Sequence, residues 1–250
     1  MSQRSIVHNA AMKLLDLTLP TIAENLALDE AILENAESSG QPGEVLRLWE
    51  SPEPAVVIGR SSRIDQEVNR PGCQRRGISV FRRSSGGAAV VIGPGCLMYA
   101  VVLSYELRPH LRWIDSVHRF VLDTNVDSLR SLSKDVQRQG ISDLTLGDRK
   151  FSGNSLRCKR DHLLYHGTLL YDFPLEVITT CLNLPPRQPD YRDGRKHESF
   201  VTCLSASVDD CRRALISAWQ PSGVEDNLPT ERITELVMKK YSNPEWNQQR

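Results

Sequence analysis

The sequence predicts an α+β fold in which helices pack against a largely antiparallel or mixed β-sheet. Helical and strand patterns alternate irregularly along the 250 residues, without the repeating β-α-β order of a parallel sheet. Gly147-Asp148, a favoured turn dipeptide, separates two short strand-like runs and so indicates an antiparallel hairpin. The chain is also 40% hydrophobic and 25% charged, which is the composition of a globular protein with a substantial core.

The helices are predicted from apolar residues that recur at helical spacing. In the second of them, Ile114, Val117 and Val121 share one face. The predicted helices are 25–33, 113–132, 175–182, 209–218 and 230–241. The last two of these are expected to be the last helices of the chain.

The strands are predicted from short runs that alternate or are apolar throughout. Residues 44–49 alternate, whereas 55–59 is an apolar run that ends at a glycine, as is typical of a buried strand. The predicted strands are 44–49, 55–59, 78–81, 97–103, 143–146, 151–152 and 163–170.

The charge balance and the cysteines limit the class of protein. Lys plus Arg and Asp plus Glu are both 31, which argues against binding to nucleic acid or anionic membrane by bulk electrostatics. The charge-free run 84–105 is interrupted by glycines and reads as strand, turn, strand rather than as a membrane helix. Residues 1–8 have no apolar segment typical of a secretory signal. The six cysteines lack C-x-x-C or zinc spacing, so we expect reduced thiols in a cytoplasmic protein.

The first candidate site is the glycine-rich segment 82–90. Adjacent Gly86 and Gly87 allow the backbone to approach a ligand closely, and free backbone amides there can bind an anion. Residues 68–105 contain five arginines and no acid, which suits a phosphate or carboxylate. The segment is neither a Walker A loop nor a dinucleotide fingerprint. A glycine-rich hairpin with surface arginines is an equally good interpretation.

Two further candidates are Lys150 and His166. Lys150 follows the predicted turn and is followed by small polar residues, so its ammonium group has the position to bind a carboxylate and a phosphate together. A solvated hairpin lysine is the alternative. His166 precedes Gly167 in an apolar strand, where it is either a general base or a hydrogen-bonded core histidine.

In this order, the segments resemble the lipoate–protein ligase A family, within the biotin/lipoate ligase and octanoyltransferase superfamily. The loop Arg82-Arg83-Ser84-Ser85-Gly86-Gly87 is similar to the family's "RRSSGG" loop. Asp143-Leu144 with Arg149-Lys150-Phe151-Ser152-Gly153-Asn154 resembles its "DL…RK-x-SG" segment. The remaining similar segments are 25–31, Trp49 with 56–60 and 67–69, and 166–170. Taken together these segments are specific, although each alone is weak.

The resemblance implies a biotin/lipoate ligase type of catalytic domain that spans residues 1–250. It implies activation of lipoate or octanoate by ATP and Mg²⁺ to an acyl-adenylate, followed by transfer to a lysine of an acceptor protein. Lys150 is the implied catalytic residue, and no metal ligands are implied. The implied cofactor-binding residues are Arg82, Arg83, Ser84, Ser85, Gly86, Gly87, Ala88, Asp143, Ser152, Gly153, Asn154, His166, Gly167 and Thr168.

The implied acceptors are lipoyl domains of 2-oxoacid dehydrogenase E2 subunits and the glycine-cleavage H protein. Ala88, Ile92 and Ser142 depart from the family's glycine, histidine and asparagine. The sequence also ends soon after Trp246, without the accessory domain of the long ligases. We therefore expect a separate accessory protein to assist activation.

Two main alternative functions remain open at this point, and biotin ligation is a third, weaker one. A carrier-protein-dependent octanoyltransferase needs a nucleophilic cysteine, and Cys181, on a predicted helix, is more typical of a packed hydrophobe; Cys203 is a weaker candidate. A non-catalytic protein that binds lipoate is the second alternative. The sequence does not distinguish lipoate from octanoate.

Overall fold

A computed structural model provides the structure of the protein and describes residues 12–249. Residues 1–8, whose sequence lacks a signal-peptide pattern, lie outside the described residues. The strands are β1 (Lys13–Asp16), β2 (Val45–Glu50), β3 (Ala55–Ile58), β4 (Ser79–Arg82), β5 (Val90–Ile92), β6 (Cys96–Ser104), β7 (Val136–Gln139), β8 (Asp143–Leu146), β9 (Arg149–Cys158), β10 (His162–Leu170) and β11 (Gly223–Val224).

Helices flank the strands on both sides, as the α+β prediction requires. They are α1 (Ile22–Ser39), α2 (Ile64–Glu67), α3 (Arg70–Arg76), α4 (Ile114–Leu129), α5 (Leu175–Cys181), α6 (His197–Phe200), α7 (Val208–Trp219), α8 (Thr230–Leu236) and α9 (Pro244–Gln248). Short 3₁₀ turns occur at Pro109–Arg112 and Asp190–Arg192, and a π-helical turn, Val237–Tyr241, continues α8. None of the described helices combines the length and the apolar character needed to span a membrane.

The strands form two sheets of mixed direction. The large sheet has the order β11-β1-β2-β6-β10-β9-β8-β7, and the small sheet has the order β4-β3-β5. From β2 to β7 the large sheet is antiparallel, but β1 is parallel to both β2 and β11. In the small sheet β3 is parallel to β4 and antiparallel to β5. The fold class is confirmed, with parallel pairs at one edge of the large sheet.

Alternation along β6 and β10 divides the core between the two faces of the large sheet. Met98, Ala100 and Val102 belong to a cluster shared with α1 and the small sheet. Tyr99 and Val101 point the other way, into a cluster shared with α4 and α7. Because side chains two residues apart on a strand share a face, His166 and Thr168 on β10 lie on the α1 side with Leu164 and Leu170.

The predicted elements are found, with two corrections. The predicted hairpin is β8–β9, turned at Gly147 with φ +58°, and the segment 84–105 forms β5, a turn and β6. The helix predicted at 230–241 ends in a π-helical turn, and it is not the last one, because α9 follows. The short strands β1, β7 and β11 were not predicted, since runs of two to four residues carry little periodicity.

Candidate functional site

A cavity of about 730 Å³ lies where the small sheet, the β8–β9 hairpin and the segment after α5 meet. One part of its wall is apolar and comes from β5, β10, α5 with the residue that follows it, and α6: Val90, Val91, Leu170, Ile178, Leu182 and Phe200. The polar and charged residues of the wall include Glu67, Asp143, Lys150, Ser152, Tyr191, Arg192 and His197. The cavity therefore suits a ligand that has both an apolar chain and an anionic group.

Lys150 and Asp143 form an ion pair in this cavity. The hairpin register places Asp143 opposite Gly153, close to Lys150 at the start of β9, and a bulge lies between Leu144 and Thr145. Lys150 Nζ lies 2.6 Å from Asp143 Oδ1, and a quarter of the lysine side chain is exposed. The other carboxylate oxygen, Asp143 Oδ2, accepts a hydrogen bond of 2.8 Å from the Tyr191 hydroxyl. The ammonium group is thus held at the cavity wall and remains accessible to a ligand.

The glycine-rich loop borders the cavity through Gly87, Ala88 and Ala89. Gly87 has φ +86°, and a Cβ there would come within 2.9 Å of Arg83 Nη2, so the position requires glycine. Glu67 Oε2 accepts a 2.6 Å hydrogen bond from the Ala89 amide. The loop is therefore bound to α2 beside the cavity.

Arg82 and Arg83 are buried and bind backbone carbonyls, which differs from the expected contact with a ligand. The Arg83 guanidinium donates to the carbonyls of Val57, Gly86 and Ala88. Burial lowers its pKa to about 10, against the raising effect of the Glu67 charge, and still leaves it protonated near neutral pH. Arg82 donates to the carbonyls of Gly59, Arg60, Ser62, Trp246 and Gln249. Both arginines stabilise the loop instead of lining the cavity.

His166 lies behind the loop, where it positions Ser85. Its Nε2 is 2.6 Å from Ser85 Oγ, and its Nδ1 is 3.6 Å from Asp29 Oδ2 of α1. All three residues are buried, and neither His166 nor Ser85 lines the cavity. Of the two interpretations of His166, a general base or a hydrogen-bonded core histidine, the geometry favours the second.

The predicted site residues thus divide into two groups. Those that line the cavity are Gly87, Ala88, Asp143, Lys150, Ser152, Gly153 and Thr168. Those that lie around it and support these residues are Arg82, Arg83, Ser84, Ser85, Gly86, Asn154, His166 and Gly167.

Asn154 and Gly167 illustrate the supporting group. Asn154 Oδ1 accepts from the Tyr99 hydroxyl, and its Nδ2 donates to the carbonyl of Ser142, next to Asp143. The space that this amide occupies exists only because residue 167 has no side chain. A Cβ at Gly167 would lie 1.7 Å from Asn154 Oδ1 and 2.8 Å from Tyr99 Cε1.

We expect Gly167→Ala to destabilise the protein by about 1–3 kcal/mol, the usual cost of overpacking a core. The methyl group would displace the Asn154 amide and break its bond to Ser142. The measurement is the midpoint of urea unfolding. Gly43→Ala is the matched control, since a Cβ at Gly43 meets nothing within 4 Å; equal midpoints for the two variants would contradict the packing argument.

Arg192, Tyr191 and His197 are cavity residues that sequence reasoning missed. Arg192 is only 4% exposed, its guanidinium lies 4.4 Å from the Phe200 ring, and burial lowers its pKa. Its Nε donates to the Arg195 carbonyl and its Nη2 lies 3.3 Å from His197 Nδ1, and no carboxylate within residues 12–249 forms an ion pair with it. The signal in the sequence was the run of cations between 187 and 197 after a proline-rich stretch. A buried guanidinium facing a cavity without a carboxylate partner is suited to an anionic ligand.

The cysteines do not contribute a nucleophile to the cavity. Cys181 is buried on α5, as predicted, and burial raises its pKa. Cys203 is partly buried and its thiol contacts the Phe173 carbonyl at 3.4 Å, and burial raises its pKa as well. Neither thiol lines the cavity. A thiol of raised pKa outside the cavity is poorly suited to carry an acyl group.

Known proteins show similarity over almost the whole chain. A family model, lipoyl protein ligase A/B catalytic domain, matches residues 21–219. An archaeal bi-partite lipoate protein ligase from Thermoplasma acidophilum, studied with its E2 lipoyl domain, has a TM-score of 0.78 and 27% identity, covering 95% of this chain and 96% of that one. A putative lipoate protein ligase from the same organism with bound lipoic acid gives 0.79 and 25%, covering 95% and 99%. A lipoate-protein ligase A bound with ATP gives 0.77 and 26%, covering 95% and 98%.

Proposed function

Because the chain belongs to the family of lipoyl protein ligase A/B catalytic domains, we propose that it attaches a lipoyl or octanoyl group to a lysine of acceptor proteins through an acyl-adenylate. The observation that carries the proposal is a single cavity whose wall combines an apolar part with the cations Lys150 and Arg192. Solved relatives hold lipoic acid and ATP. The acyl chain of an acyl-adenylate matches the apolar part of this wall, and its phosphate matches the cations.

The apolar residues of the wall would bind the acyl chain, whose burial stabilises the complex by about 0.8 kcal/mol per methylene. In the first step the carboxylate attacks the α-phosphorus of ATP and pyrophosphate leaves. In the second step the amine of the acceptor lysine attacks the acyl carbon and AMP leaves. Both steps increase negative charge on oxygen, which Lys150 is placed to stabilise, with Arg192 as a second cation.

The Mg²⁺ that accompanies ATP would be held mainly by phosphate oxygens. Across residues 12–249 no group of three His, Cys, Asp or Glu side chains is arranged to hold a metal ion. Asp143 accepts from Lys150 and Tyr191, and Glu67 accepts from the Ala89 amide. Since these carboxylates already have partners, the triphosphate would supply most of the ligands of such a cation.

The proposed acceptors are lipoyl domains of 2-oxoacid dehydrogenases and the glycine-cleavage H protein. The similarity to a bi-partite ligase studied with its E2 lipoyl domain supports this class of acceptor and a separate accessory protein. We also infer one catalytic domain in a cytoplasmic setting. Both cores share β6 and β10, which supports a single domain, and the six free cysteines support a reducing compartment.

The experiment compares the two half-reactions in the purified chain. We expect rapid transfer from preformed lipoyl-adenylate to a lipoyl domain, but slow synthesis of that adenylate from ATP unless an accessory protein is added. Pyrophosphate release measures the synthesis of the adenylate, and the mass of the lipoyl domain measures the transfer. Transfer needs less from the protein, since the adenylate is already reactive.

Each other outcome has a definite meaning. Rapid adenylate synthesis by the chain alone would exclude the accessory protein. Lipoate binding without use of the preformed adenylate would indicate a non-catalytic binding protein and remove the transferase proposal. An octanoyl-cysteine adduct after incubation with octanoyl carrier protein would favour a thioester octanoyltransferase.

A further inference from the structure

We propose that Tyr191 is a positioning residue for acyl transfer, which acts through Asp143 to hold the Lys150 ammonium at the cavity wall. The inference rests on the proposed function, because it gives Lys150 a reaction in which its position matters. Tyr191 belongs to the segment between α5 and α6, whereas Asp143 and Lys150 belong to the β8–β9 hairpin. The hydroxyl is therefore a link between two separate elements of the site.

The two oxygens of Asp143 have different partners. Oδ1 lies 2.6 Å from Lys150 Nζ, and Oδ2 accepts from the Tyr191 hydroxyl at 2.8 Å. A carboxylate held at both oxygens cannot rotate without breaking one of the two contacts. The Tyr191 hydroxyl consequently restrains the orientation of the oxygen that Lys150 contacts.

Tyr191 is itself fixed by groups outside the hairpin. Its carbonyl accepts a 2.7 Å bond from Arg195 Nη2, and its ring lies 5.3 Å from the Phe200 ring. The backbone of Gly140 passes so close that a Cβ there would be 3.3 Å from Tyr191 Cε1. Since the ring has little freedom, the hydroxyl is a fixed reference point for Asp143.

The hydroxyl remains a donor over the working range of pH. Burial, together with the charge of Asp143, raises the pKa of Tyr191. It therefore stays protonated beside the carboxylate whether Lys150 contacts Asp143 or has turned towards a ligand. The same segment is tied to the hairpin turn a second time, by the 2.7 Å ion pair of Arg195 with Asp148.

The test is Tyr191→Phe, which removes only the hydroxyl. We expect kcat for transfer from preformed acyl-adenylate to fall about tenfold, the usual effect of losing one hydrogen bond to a charged group. KM and the Kd of a non-reactive acyl-sulfamoyl-adenosine should stay within about twofold, since the lost bond does not touch the ligand. Tyr171→Phe is the matched control, because its hydroxyl also donates to a carboxylate, Glu50, at 2.7 Å outside the cavity.

A second readout does not depend on activity. Mass spectrometry would follow acetylation of Lys150 by acetic anhydride in the ligand-free variants. We expect Lys150 in Tyr191→Phe to react several times faster than in Tyr171→Phe, because its ion pair is loosened. Unchanged acetylation overturns the positioning role even if the wild-type chain transfers no acyl group. A kcat loss shared by both variants, or matched by an equal loss of affinity, overturns it too.

Discussion

Acyl transfer by Lys150→Ala is expected to be at least about a hundredfold slower than by the wild-type chain, the usual effect of removing a preorganised charge at a reacting oxygen. Lys150 Nζ is held at the cavity wall by Asp143, a quarter of its side chain is exposed, and Arg192 lies on the same wall. The remaining guanidinium would bind the anionic ligand without meeting the charge that grows on the acyl oxygen. The measurement is the rate of lipoyl-domain modification from preformed adenylate.

The fold should survive this substitution. Asp143 keeps its hydrogen bond from Tyr191, and the backbone bond from Thr202 to the Lys150 carbonyl is unaffected. The melting temperature should therefore stay close to that of the wild type. Lys134→Ala, at an exposed lysine between α4 and β7, is the control for loss of a positive charge. The assignment of Lys150 fails if the variant retains more than about a tenth of the wild-type rate.

The elements that sequence reasoning located are those with strong local signals. The periodicity of α4 and the Gly147-Asp148 turn are properties of adjacent residues, and the structure has both. The parallel pairing of β1 with β2 and β11 was not predictable, because it depends on contacts between residues far apart in sequence. The position of α9 was equally unpredictable, because it depends on contacts with β4, which is distant in sequence.

The site divides in the same way. The motif resemblance singled out Lys150 and Asp143, and the structure brings both to one cavity, since a hairpin brings neighbouring residues together. The direction in which a side chain points could not be predicted from the motif. Nothing in the order Arg82-Arg83 indicates that both guanidinium groups turn to backbone carbonyls. Arg192 was missed because its segment has no apolar periodicity and its burial depends on tertiary contacts, among them the Phe200 ring and His197.

Arg82 carries the second large expected effect, and that effect is on stability. The side chain is fully buried, and its guanidinium donates to carbonyls of the loop after β3 and to those of Trp246 and Gln249 near the C-terminus. It thus connects the glycine-rich loop to α9. Arg82→Met keeps the apolar stem but removes all of these bonds; the Gly59 carbonyl keeps the Ser62 amide as a donor, whereas the other carbonyls lose the donor that Arg82 supplied. Each unsatisfied buried acceptor costs about 1–3 kcal/mol, which exceeds the relief from no longer burying a charge.

We expect Arg82→Met to lose about 3 kcal/mol or more of unfolding free energy, a fall of about 6 °C or more in melting temperature for a chain of this size. Arg82→Lys should be nearly as unstable, because one ammonium group cannot reach carbonyls that a guanidinium fork spans. The backbone of residue 82 keeps its bonds to Asn247 and Trp246, so α9 should loosen rather than detach. A binding role predicts the opposite pattern. If Arg82→Met binds acyl-sulfamoyl-adenosine weakly at an unchanged melting temperature, Arg82 contacts the ligand and its role is not structural.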